Sequence, residues 1–164
     1  MGQTGLLYAD TGLVIGAHGN VLITVLTEAS TMERLRELRR HVEQFRRRWP
    51  GANCGLTVLT AGAIVIETRA DVREESQAIT RDNPSPGSSV VIEGRGFGAG
   101  AIRAFLSGIF LVTRARSTIH GSVAEGASWL APIAATLGKS AVAAAELVEA
   151  ERLTRAALRP SVSA

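Results

Sequence analysis

Short runs of β-branched residues and leucine recur along this chain, at "VLITVLT" (21–27), "CGLTVLT" (54–60), "VVIEG" (90–94) and "STIHG" (117–121). Between each run and the next stands a segment with helical character. Strands that alternate with helices pair most simply in parallel, with the helices crossing over the sheet. The expected fold class is therefore α/β: a mainly parallel sheet with an N-terminal β-hairpin and helices packed on it.

The first interval has the clearest pattern. Leu35, Leu38, Val42, Phe45 and Trp49 are spaced 3, 4, 3 and 4 residues apart, which is one apolar stripe on a helix. Ser30 and Glu33 form a capping-box pattern before it, and Pro50-Gly51 ends it. The second interval (68–83) is a mostly exposed helix with apolar points at Val72 and Ile79, stopped by the prolines of "NPSPGSS". "AGAIVIE", between them, fits a strand extension, a second strand or a turn. The third interval is apolar at 101, 102, 105, 106, 109, 110 and 112, with Arg103, Ser107 and Arg114 on its polar edge.

At the N-terminal end, "LLYADTGLVIG" (6–16) and "VLITVLT" flank the turn cluster "AHGN", which predicts a hairpin. Tyr8 and Val14 are expected on one side of its first strand, and Leu7, Leu13 and Ile15 on the other. At the C-terminal end, Ser122 and Glu125 form a second capping-box pattern, Ala127, Trp129 and Leu130 face inward, and Gly138 breaks the helix. An Ala/Glu/Leu-rich helix follows over 139–158.

With 164 residues the chain is expected to form a single domain (1–164) with a core that needs no staple. Aromatics are only 4%, so that core is built from Val, Ile, Leu and Ala. Cys54 is the lone cysteine, so no disulfide forms within the chain, and its apolar setting predicts a buried, inert thiol. The longest strongly apolar helix candidate (104–112) falls far short of the ~20 residues that span a bilayer. No membrane span and a cytoplasmic location are expected.

The net charge of +3 is too small to argue for DNA binding by itself. Seven arginines lie on the 31–49 helix, but Glu33, Glu37 and Glu43 interleave with them, the pattern of intrahelical ion pairs. Nucleic acid is not the expected partner. His18, His41 and His120 are scattered, and no metal spacing or cofactor requirement appears.

The glycines at 94, 96, 98 and 100 raise a sharper question. Gly96-x-Gly98-x-x-Ala101 satisfies the relaxed dinucleotide fingerprint. That motif also needs a carboxylate about 20 residues on, at the end of the next strand, to hold the ribose. "STIHG" ends in no acid. A glycine-rich strand-to-helix corner is the simpler reading, with nucleotide or anion binding at 94–101, by a sensor or small enzyme, as the alternative.

The order of elements, with "SVAEGASWL" after the last strand, resembles the STAS-like, SpoIIAA-like (anti-sigma-factor-antagonist) family. Ser122, Glu125, Ala127, Trp129 and Leu130 fill the family's "s-x-x-E-A-x-x-W-L" pattern with a one-residue shift, and Gly126 stands where the family prefers alanine. The resemblance covers about 5–135, with an extra C-terminal helix (136–158) and a frayed tail (159–164). It implies a non-catalytic regulatory module that docks a partner protein; the expected surface is the region 60–72 with the 94–103 corner, holding Thr68, Arg95, Phe97, Gly98 and Arg103, with the corner also open to a small ligand. The family's phosphoacceptor turn is absent; Thr60 and Thr68 are the nearest hydroxyls, and Thr68, which also reads as a plain helix cap, is the candidate phosphoacceptor. The C-terminal helix is a candidate homodimer surface.

Overall fold

The structure, a computed structural model, describes residues 4–64, 69–113 and 116–159. Six strands form one sheet: β1 (Thr4–Ala9), β2 (Leu13–His18), β3 (Val21–Leu26), β4 (Cys54–Thr60), β5 (Gly87–Glu93) and β6 (Ser117–His120). Their spatial order is β1-β2-β3-β4-β5-β6, the order of the chain. The first three run antiparallel, and β3 through β6 are parallel. The three segments at 54–60, 90–94 and 117–121 thus lie side by side and point the same way, as their alternation with helices predicts.

The helices are α1 (Met32–Arg48), α2 (Ala70–Asp82), α3 (Phe97–Thr113), α4 (Val123–Gly138) and α5 (Ala144–Ala156). Three successive crossovers step in one direction along the sheet, so right-handed connections place α1, α2 and α3 on one face. Leu22, Leu26 and Phe45 pack together on that face, as do Val90, Ile92 and Ala99 farther along it. The opposite face carries α4 and α5, which pack Leu130, Ala134, Leu147 and Ala150 on Ile23, Leu56 and Val58.

This second layer is built by close approach. A Cβ on Gly126 of α4 would lie 2.6 Å from Ser89 Oγ and 2.9 Å from Val91 Cγ2 of β5. Glycine at 126 is what lets the helix settle on the strand. On α5, Arg155 donates to both Glu93 carboxylate oxygens at 2.8 and 2.9 Å and to Glu151 at 2.7 Å, clamping the helix to the end of β5.

Several sequence expectations are corrected. The 6–16 segment is two strands, because Asp10 accepts hydrogen bonds from the amides of Gly12 (2.6 Å) and Leu13 (2.7 Å) and turns the chain. Tyr8 consequently pairs with Ile15 and packs on the Leu13 and Ile15 side, opposite to the expectation. Helix α1 is capped by Thr31, whose hydroxyl accepts from Arg34 N, and not by Ser30. The α4 helix runs through Pro132 to Gly138, and Lys139 follows it in the left-handed region at φ 51°. The last helix therefore starts at Ala144, where Glu146 accepts from the Ala143 amide, and not near 136–139.

Candidate functional site

Parallel sheets buried on both faces usually read as continuous hydrophobic runs. Here the face under α1–α3 departs from that rule. The cross-strand register places Leu22, Gly55, Ser88 and Ser117 in one row, and Thr24, Thr57, Val90 and Ile119 in the next. A third row, nearer the C-terminal ends of the strands, is Leu26, Leu59 and Ile92. One end of this floor is small and hydroxyl-bearing, and the other is aliphatic.

Above the floor lies a cavity of about 550 Å³. Leu35, Leu38, Val42 and Phe45 of α1 form one wall. Ile79 of α2 and Ile102, Phe105 and Leu106 of α3 form the others. The volume falls within the ~300–1,000 Å³ common for small-molecule sites. Helix α2 packs on α1 through Val72 and Ile79 beside Leu35, and its side chains reach the cavity without filling it. Phe105 is 44% exposed, which marks an opening beside α3. The charged lining residues, Arg73 and Arg81, are exposed at the rim.

The glycine-rich corner abuts this cavity. Ile64 sits against Gly94, where a side chain at 94 would collide with its Cδ1, and Gly96 turns the chain at φ +94°. Arg103 Nη2 donates to the carbonyls of Ile92 (3.3 Å) and Gly94 (3.4 Å) and holds α3 to the end of β5. Ile102, the residue before it, faces the cavity. The sheet order never reverses across β3–β6, so these strands lack the switch point at which doubly wound sheets hold dinucleotides.

Of the residues singled out from sequence, Arg95 is exposed and Gly98 is half-buried against Ile64. Arg103 is half-buried on the corner it ties together. Phe97 opens α3, but its side chain lies outside the described part. Thr68 also lies outside the described residues. The hydroxyls of the floor and the apolar helix walls were not singled out from sequence. Their available signal was the small or hydroxyl-bearing residues Gly55, Thr57 and Ser88 in or beside otherwise apolar runs.

The remaining titratable groups serve the framework. Cys54 is 2% exposed, and burial pushes its thiol up to about 11, against a smaller opposing effect from Arg116. Burial and the neighbouring Arg40 charge lower the pKa of His41, with Glu37 opposing. His18 lies near Thr4 and Glu146, and His120 beside Thr118 and Trp129, so the three histidines stay apart. Among the described residues no group of three His, Cys, Asp or Glu side chains is placed to hold a metal. The α1 arginines are largely engaged: Arg39 with Glu75 and Asp82, and Arg40 with Glu37. Among the described residues no helix is long and apolar enough to cross a membrane.

No protein-family model matches this chain, and a search of curated proteins finds no match.

Proposed function

We propose that this protein is a non-catalytic regulatory module, of the STAS-like kind its sequence resembles, that binds an apolar small molecule between its sheet and α1–α3. The observation that carries this reading is the cavity of about 550 Å³ between the apolar side chains of α1 and α3, the mixed face of α2 (Ile79 with Ser76 and Thr80) and a partly hydroxylated floor. Aliphatic and hydroxyl side chains of this kind suit holding a ligand. At about 30 Å³ per heavy atom, water's share of the liquid, the space takes about 18 heavy atoms. At about 0.3 kcal/mol per atom, a ligand of that size gains roughly 5 kcal/mol, a Kd near 10⁻⁴ M or tighter.

In this reading the partner protein docks on the corner formed by Arg95, Gly98 and Arg103. Helix α3 supplies the link, since Ile102 and Leu106 line the cavity while Arg103 ties the corner. A ligand that moves α3 would reshape the docking surface. A cytoplasmic location belongs to the same reading, as does pairing of two copies through α5. That helix covers β1–β3 with Leu147 and Ala150 and leaves Val148 and Leu153 exposed.

The experiment is titration of the full chain with an environment-sensitive apolar dye, repeated with Gly55→Leu. A saturable fluorescence rise in the native chain, lost in the variant, is the expected result. No saturable binding, or equal binding by both chains, would refute the reading.

The alternative of a nucleotide or anion sensor at 94–101 is supported by the glycine spacing and the helix start at Phe97. It predicts stabilisation by nucleotides through mass action, abolished by Gly98→Val.

A further inference from the structure

The cavity's inner surface is chemically uneven in a way that speaks to its ligand. Thr57, Ser88 and Ser117 project their hydroxyls from the sheet floor on three adjacent strands, and Thr24 lies beside Thr57. Among the described residues none of these hydroxyls has a hydrogen-bond partner in the protein. They also differ from Ser89 Oγ, on the other face, which is sealed from solvent and unpartnered.

Hydroxyls placed inside an apolar cavity favour a ligand that brings its own donors and acceptors to them. The charges tell where a formal charge would not go. Arg73 and Arg81 stand exposed at the rim, and no charged side chain of α1, β3–β6 or α3 lines the interior among the described residues. An ion buried there would lose its hydration with no opposite charge to replace it.

From this match of charge and polarity we propose that the occupant is an uncharged single-chain amphiphile. Its oxygen function is hydrogen-bonded to Thr57 and Ser88, and its hydrocarbon lies along Leu59, Ile102 and Leu106. This inference rests on the proposed ligand-binding role of the cavity and adds the class of ligand and its orientation.

The test is competition for the apolar dye on the full chain at pH 8, below micelle concentrations. The probes are dodecan-1-ol, dodecanoate and dodecyltrimethylammonium, which share one chain and differ in head charge. The alcohol is expected to displace the dye at a concentration at least tenfold below either ion. In the double variant Thr57→Val, Ser88→Ala the alcohol should weaken about five- to tenfold, and its advantage over the ions should shrink by the same factor. Dye affinity itself should stay within twofold, which reports that the cavity is still formed. Displacement by either ion as readily as by the alcohol would overturn the inference, and so would an unchanged ratio in the double variant; both leave the cavity standing as a binding site. Failure of the native chain to bind the dye at all would overturn the ligand-binding role and this inference with it.

Discussion

Replacing Gly55 with leucine should stabilise the protein, an unusual outcome for enlarging a residue in the middle of a parallel sheet. Gly55 sits on the cavity floor between Leu22 and Ser88, and its backbone does not need the left-handed region. Among the described residues a Cβ there would have only Ser88 Oγ within 4 Å, at 3.7 Å. The added side chain enters open space rather than a packed neighbour. Full burial of a leucine side chain contributes about 1.5–3 kcal/mol, and the partly open cavity should realise about half of that. Removing a strand glycine adds roughly 0.5–1 kcal/mol through the lower entropy of the unfolded chain. The expected gain is about 2 kcal/mol. For a chain of 164 residues this raises Tm by about 4–8 °C, at roughly 2–4 °C per kcal/mol. Thermal and urea unfolding monitored by circular dichroism would measure it, with the dye titration run on the same samples. A loss of stability exceeding 0.5 kcal/mol would mean that the space above Gly55 is already filled and would refute the packing argument.

Three further perturbations probe other parts of the fold. Gly126→Ala is expected to cost about 1–3 kcal/mol, because the new Cβ would press Ser89 Oγ at 2.6 Å, and the added change Ser89→Gly should recover most of the loss in urea midpoints. Asp10 titrates below the ordinary carboxylate range: burial works against this, but hydrogen bonds from Gly12, Leu13 and Tyr8 and the charge of Arg34 prevail. Its folded pKa is depressed, so its contribution is present above the unfolded value near 4 and is lost as pH falls through the folded one; Asp10→Asn should flatten that part of the acid limb of a stability–pH profile. Cys54, with its thiol pushed up to about 11, should resist iodoacetamide at pH 8 in the native chain and react fully in 8 M urea, as mass spectrometry would record.

The parallel half of the sheet was legible because its signals are local. "CGLTVLT" matches β4 from Cys54 to Thr60, and the 3-4-3-4 stripe matches α1, whose Leu35 and Phe45 are buried. The break between β1 and β2 was missed because one side chain makes it: Asp10 folds back on the amides of Gly12 and Leu13, a turn hidden inside an otherwise apolar run. Residues 139–143 read as helix by propensity, yet Lys139 in the left-handed region ends α4, and α5 begins only at Ala144. Gly126 was visible as a departure from a pattern, but its reason, contact with Ser89 and Val91, depends on how a helix meets a strand far away in the chain. The cavity was least legible. Its floor is written in Gly55, Thr57 and Ser88, but its existence depends on how far α2 and α3 stand from the sheet, a distance that no periodicity encodes.

The two sides of the sheet differ in how much sequence change they tolerate. Behind β3–β5, interlocked contacts such as Gly126 against Ser89 leave little freedom, and substitutions there tax the whole domain. In front, side chains of α2 and α3 border empty volume rather than one another. Under the proposed ligand-binding role, substitutions at Ile102 or Phe105 would alter what is bound while the scaffold persists, so selectivity would diversify faster than architecture.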